Sequence, residues 1–192
     1  MVADTSFSEV LDFWFGPPKV RGKARPEWFR KYEKFDAEIR RRFVAMHAAA
    51  ALGEREGWRD EPRSMLALVV VLDQFSRNLY RGDARAFAQD AHALACAREA
   101  LARGDDTKLL PVERQFLYMP FEHSEELADQ DRAVELMHGL KAFEETRGLI
   151  EWAERHRVIV HRFGRFPHRN AVLGRASTGE EAGFLKEPGS SF

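Results

Sequence analysis

Met65-Leu66-Ala67-Leu68-Val69-Val70-Val71-Leu72 is apolar at every position and passes directly into Asp73-Gln74-Phe75-Ser76-Arg77-Asn78. The run shows no alternation of apolar and polar residues, and Asp60-Glu61-Pro62 in front of it supplies a helix start with proline in the first turn. A helix that is apolar all round has no face for solvent, so other elements must cover it on several sides. Residues 65–72 therefore read as the central helix of an all-helical fold. The run is also the longest apolar stretch of the chain, and it is far too short to span a bilayer.

The flanking sequence repeats the helical period. Ser6 and Glu9 form a capping box ahead of Val10, Leu11, Trp14 and Phe15, and Gly16-Pro17-Pro18 stops that helix. Trp28, Tyr32, Phe35, Ile39, Phe43 and Met46 recur at helical spacing from a start near Pro26, with Asp36 available as a second N-cap and Gly53 as the stop. After Gly82-Asp83, the alanine-rich residues 84–103 predict a helix with Phe87, Ala91, Leu94 and Leu101 on one side, ended by Gly104.

Pro111 opens a helix through Met119, and Pro120 should break it, leaving Phe121-Glu122-His123 on a turn before Ser124 caps a helix to about Gly139. A long helix from about Thr146 carries Leu149, Trp152, His156, Ile159 and Phe163 on its apolar stripe and ends at Gly164. A loop over residues 165–175 follows, and Ser177 with Glu180 reads as the capping box of a short terminal helix. Helix pairs with short connections predict stacked antiparallel hairpins, with residues 1–192 as one all-α domain.

Thirty Lys and Arg against 31 Asp and Glu leave a net charge of -1, so no global field draws the chain to nucleic acid. A hydrophobic fraction of 44% is ample for a folded core. The single cysteine, Cys96, excludes an intramolecular disulfide and sits among alanines as a small helix residue. The opening Met-Val-Ala-Asp-Thr-Ser has no basic leader with an apolar core, which points to the cytoplasm and away from membranes.

Three segments, Leu72-Asp73-Gln74-Phe75-Ser76-Arg77-Asn78, Phe116-Leu117-Tyr118-Met119-Pro120-Phe121-Glu122-His123-Ser124-Glu125 and Arg162-Phe163-Gly164-Arg165-Phe166-Pro167-His168-Arg169-Asn170, together resemble the bacterial family known as domain of unknown function 924. The resemblance extends from Trp28-Phe29 to the closing Pro188-Gly189-Ser190-Ser191-Phe192. It implies a fold similar to tetratricopeptide-repeat helical arrays and no assigned activity. Ser76 and Gly179 depart from it, standing where the family's turn motifs carry proline.

The candidate chemistry lies in the same segments. Residues 155–175 hold six arginines and three histidines, and no Asp or Glu occurs from residue 155 through 179. Arginine forks bind carboxylate or phosphate, so Arg162, Arg165, His168, Arg169 and Asn170 could take a small anionic ligand or a peptide carboxylate; pairing with the acidic stretches Glu122 to Asp131 and Glu144 to Glu154 is the structural alternative. Asp73, Gln74, Arg77 and Asn78 follow the most apolar helix, where buried polar groups must find partners, and Asp73 with Arg77 has the spacing of an intrahelical ion pair. Glu122 and His123 suit general acid/base work, which leaves an enzyme acting on an acidic substrate through Glu122, His123 or His168 as the alternative to a binding protein. His156 falls on an apolar stripe, as core histidines do.

No residue stands out as the catalytic one. No zinc spacing, Gly-rich phosphate loop or nucleophile elbow is present, so neither a metal nor a cofactor is expected. Asp73 and Glu122 are the carboxylates expected to face the arginines. Oligomeric state is not encoded in these patterns.

Overall fold

The computed structural model of the protein describes residues 6–191; the opening residues read above, 1–5, and Phe192 lie outside the described residues. Helix α1, Phe7–Phe15, starts at the expected capping box: Ser6 N donates to Glu9 Oε2 at 2.8 Å and Glu9 N to Ser6 Oγ at 3.3 Å. It stops at Gly16, whose φ of 82° is a left-handed conformation suited to glycine. A 3₁₀ turn, Pro26–Phe29, precedes helix α2, Glu33–Ala51. The single stripe expected from Trp28 onward is thus broken at residues 30–32, and the long helix starts after Tyr32.

Helix α3, Pro62–Val69, passes through a π-helical stretch, Val70–Phe75, into α4, Ser76–Leu79. Its side chains from Ser64 to Ser76 are all buried, as a central element requires. α1 packs on it, as do helices α5, Asp90–Ala102, and α6, Pro111–Glu122. Trp14 meets Phe75 at 5.7 Å and Phe116 at 5.4 Å between ring centroids, locking α1 to α3 and α6. Each large side chain so buried stabilises the fold by roughly 1.5–3 kcal/mol.

Helix α7, Leu127–His138, packs on α6, and helix α8, Leu149–Phe163, packs on α7. A short α9, Gly179–Phe184, closes the fold. No strand occurs among the described residues, so the fold is all-α. No helix among them is long and apolar enough to cross a membrane.

Four local expectations are corrected. Residues 84–86 form a 3₁₀ turn and 87–89 a hydrogen-bonded turn, so the alanine-rich helix begins at Asp90 rather than Ala84, and Phe87 lies outside it. The last capping box is Thr178 with Glu181, one residue beyond the Ser177 and Glu180 pair. Trp152 is half exposed, because the face of α8 that packs inward is carried by Ala153, His156, Ile159 and Val160.

The fourth correction concerns Pro120, which sits inside α6 without breaking it. Its missing N–H leaves a gap in the ladder, but the residue is buried, and His123 N still donates to Met119 O at 2.9 Å. Tertiary packing outweighs the local penalty so close to a helix end. Glu122 is therefore the last residue of α6 and His123 its cap, not members of a free turn.

Candidate functional site

The site begins in the π-helical stretch. An i→i+5 turn cannot satisfy every carbonyl around it, and here side chains help: Ser76 Oγ donates to Leu72 O at 2.5 Å, and Arg77 Nη1 to Asp73 O at 3.0 Å. The turn holds Asp73 fully buried and Gln74 nearly so, and Asn78 on α4 is buried as well. π-helical turns of this kind are frequent at functional sites.

Asp73 is the hub. His123 Nδ1 lies 2.7 Å from Asp73 Oδ1, Gln74 Nε2 donates to Asp73 Oδ2 at 2.5 Å, and Arg77 Nη1 donates to Asp73 Oδ1 at 3.0 Å. Arg77 also forms a two-pronged pair with Asp90 at 2.8 and 3.1 Å. Asp90 comes from the first turn of α5, and it binds Arg169 Nη1 at 3.3 Å as well. Beside this chain of charges, Glu122 Oε1 lies 3.2 Å from His156 Nδ1, and the His123 and His156 rings are 6.4 Å apart. His156 and His168 both lie against Phe166, each with ring centroids 5.6 Å from it. The structure thus brings together Asp73, Gln74, Arg77, Glu122, His123, His156, His168 and Arg169.

The remaining candidates are held elsewhere. Asn78 donates to Asp36 on α2 at 2.7 Å. Arg162 is exposed and pairs with Glu180 at 2.8 Å. Arg165 grips Glu181 with two bonds of 2.6 and 2.8 Å, and Asn170 Nδ2 reaches Ser177 and the same Glu181. Arg175 forks onto Glu125 at 2.6 and 2.9 Å.

The arginine-rich segment pairs in part with the acidic stretches named above, Arg175 with Glu125 and Arg157 with Asp131 and Glu154, and otherwise with Glu180, Glu181 and Asp90; Asp73 and Glu122, expected to face it, make no ion pair with its arginines. The segment folds back so that acids distant in sequence become its neighbours. The sequence pattern did not mark Asp90, Phe87, Phe166, Arg175 or Glu181 as site residues. Asp90 had a signal, as an acid suited to the first turn of an alanine-rich helix.

Arg169 differs from its neighbours. It is 6% exposed, and its guanidinium lies between two rings, 4.6 Å from the Phe87 centroid and 4.5 Å from that of Phe166. Its hydrogen bonding among the described residues consists of the 3.3 Å contact to Asp90, and its buried Nε has no partner there. A guanidinium carries five N–H donors. Burial, reinforced by Arg77, lowers its pKa to about 10.

The electrostatics separate the titratable groups. Burial alone would raise Asp73, yet Arg77 and His123 hold it below the usual carboxylate range. Glu122 is raised to about 8 by burial and by Asp73, so it keeps its proton near neutral pH. Burial lowers His156 to about 3 and His168 to about 4, and lowers His123 as well. Nδ1 of His156 also lies 2.8 Å from Trp152 O, a carbonyl that only accepts, so the neutral ring carries its proton on Nδ1. No group of three or more His, Cys, Asp or Glu side chains among the described residues is arranged to hold a metal ion.

An all-helical protein with acid, base and guanidinium groups buried at the ends of its central helices is the class this fold and site define. The chain belongs to the family described as bacterial protein of unknown function (DUF924), whose model matches residues 10–189. It is similar to a solved protein of unknown function from Agrobacterium tumefaciens, with 41% sequence identity, a TM-score of 0.82, and coverage of 94% of this chain and 96% of that one. No curated protein matches the chain.

Proposed function

We propose that the chain is a cytoplasmic binding protein, one domain of stacked helical hairpins akin to tetratricopeptide-repeat arrays, that takes a small anionic ligand or peptide carboxylate at Arg169. The observation that carries this reading is the under-satisfied guanidinium: nine-tenths buried, sandwiched between Phe87 and Phe166, and hydrogen-bonded among the described residues only through the long contact to Asp90. A buried charge with unfilled donors costs stability, and an anion supplies what the protein withholds. Arg165 and Arg175, each matched by a two-pronged carboxylate, need no such guest.

The test is thermal stability with and without phosphate, sulfate and small dicarboxylates. A ligand that binds only the folded state raises its midpoint by mass action. The wild type and Arg165→Ala should both shift, and Arg169→Met should not. If no anion shifts the wild type, or if Arg169→Met shifts equally, the reading fails.

A second reading, an enzyme acting on an acidic substrate, is favoured by the Asp73 and His123 pair. A carboxylate 2.7 Å from Nδ1 holds the proton there and leaves Nε2 basic, the arrangement of a general base, while Glu122 stays protonated as an acid. Turnover of any phosphate or carboxylate ester in a panel followed by proton NMR, abolished in His123→Asn but with anion-linked stabilisation intact, would establish it. Turnover unchanged in His123→Asn would eliminate it.

A further inference from the structure

A cavity of about 470 Å³ lies between the C-terminal end of α1, the loop of residues 16–25 and the first half of α2. Its volume is in the range of small-molecule sites. Its floor is apolar: Phe13 and Phe35 stack at 4.9 Å with ring planes 13° apart, and Val20 lines it while 48% exposed. Its rim carries three cations, Lys23, Arg25 and Arg42, and one carboxylate, Asp12.

Two of the cations at this rim, Lys23 and Arg42, have no hydrogen-bond or ion-pair partner among the described residues. Arg42 lies over Phe13 at 5.1 Å and Phe43 at 4.8 Å and makes no hydrogen bond or ion pair among the described residues. Lys23 likewise has no carboxylate partner there. Arg25 spends Nη1 on the carbonyls of Phe13 and Trp14, at 2.6 and 2.8 Å, which anchors it beside the floor, with Glu27 at 3.7 Å. The neighbouring acids are engaged elsewhere: Asp12 pairs with Arg21, and Glu38 with Arg41 at 2.5 Å. An apolar floor with Lys23 and Arg42 at its rim, neither held by a hydrogen bond or ion pair, has the complement of a molecule with an apolar body and one anionic head.

We propose that this cavity binds a small amphipathic carboxylate, its body on Phe13, Phe35 and Val20 and its carboxylate between Lys23 and Arg42. The site is independent of Arg169, which belongs to a different cluster of elements. Val20 is a natural gate, since its side chain is exposed and reaches over Gly16, where the Cβ of any larger residue would meet Val20 Cγ2 at 2.9 Å. The carboxylate is held by charge and the body by burial, so removing either should weaken binding.

The experiment uses the whole chain and the fluorescent probe 1-anilinonaphthalene-8-sulfonate. The probe should bind the folded protein at one site and be displaced by octanoate at concentrations where octan-1-ol has no effect. Arg42→Gln should weaken octanoate about tenfold, the loss of one charge-assisted contact worth about 1.4 kcal/mol. Val20→Trp should abolish binding by filling the space. Lys23→Gln, on a loop, serves if Arg42→Gln does not fold, and Arg169→Met should leave the affinity unchanged. Absence of displaceable probe, equal displacement by octan-1-ol, or loss of binding in Arg169→Met with retention in Arg42→Gln would each overturn the proposal.

Discussion

His123 Nδ1 donates to Asp73 Oδ1 at 2.7 Å, and this contact joins the π-helical stretch of the central helix to the cap of α6 across 50 residues of sequence. Both groups are buried, so neither can exchange its partner for water without opening the core. The same carboxylate holds Arg77, whose own pKa is raised by Asp73 and Asp90 against the opposing effect of burial. Asp73 thus sets the protonation of an entire cluster rather than of one neighbour.

Asp73→Asn keeps the shape of the side chain and removes its charge. Arg77 would then rely on Asp90, and His123 Nδ1–H would face a weaker acceptor. Breaking one member of a buried pair costs about 3–5 kcal/mol, which is a large share of a domain's stability. Urea unfolding should show that loss, and a change below about 1 kcal/mol would mean that Asp73 is not the hub.

Glu122 gives a pH signature. Its folded pKa, raised by burial and Asp73 to about 8, lies above the ordinary 4.5 expected when unfolded. Between those values the unfolded chain loses the proton and the folded chain keeps it, so this group makes stability fall as pH rises. His156 and His168 act in the other direction: lowered by burial to about 3 and about 4, they make stability fall as pH drops below about 6.5. Glu122→Gln isolates the first effect. Its melting temperature relative to wild type should rise steadily from about pH 5 to about pH 8; a difference independent of pH would contradict the raised value.

Cys96 is buried within α5, and burial pushes its thiol up to about 11. The thiolate is the reactive form, so it is both scarce and shielded. Ellman's reagent should leave the native protein unlabelled and modify one thiol per chain after denaturation. Labelling of the native protein within minutes would show that α5 opens far more readily than its packing implies.

The helical class was legible because its signals are local. The capping box at Ser6, proline at the first turn of α3 and the run from Met65 to Leu72 each follow from neighbours within a few residues. The site was legible only in part. Asp73, Glu122, His123 and Arg169 declared themselves as polar residues interrupting apolar patterns, and the i, i+4 spacing gave Asp73 its pair with Arg77, but the one-to-one partners on other elements did not show. Asp90 is held against Arg77 and Arg169 by the packing of three separate elements, and Glu125 reaches Arg175 across 50 residues. Pro120 misled for the same reason: its backbone cost is local, whereas the burial that offsets it is tertiary.

The last prediction turns on Arg169 in anion-free buffer. Arg169→Met removes a charge but leaves an unbranched side chain to fill the space between Phe87 and Phe166. Asp90 keeps its two bonds to Arg77, so no carboxylate is stranded, and the repulsion between the two guanidiniums disappears. Replacing such a buried ion by a well-packed apolar group is often neutral or stabilising, here by up to about 2 kcal/mol. Arg165→Met is the contrasting case. It breaks two short bonds to Glu181, a carboxylate that also caps α9, and should lower stability. A residue whose removal raises stability while abolishing an anion-linked shift is retained for binding rather than for folding. Urea unfolding of the two variants side by side decides it: if Arg169→Met is destabilised as much as Arg165→Met, the buried guanidinium is a structural tie and the Phe87 and Phe166 sandwich is its seat.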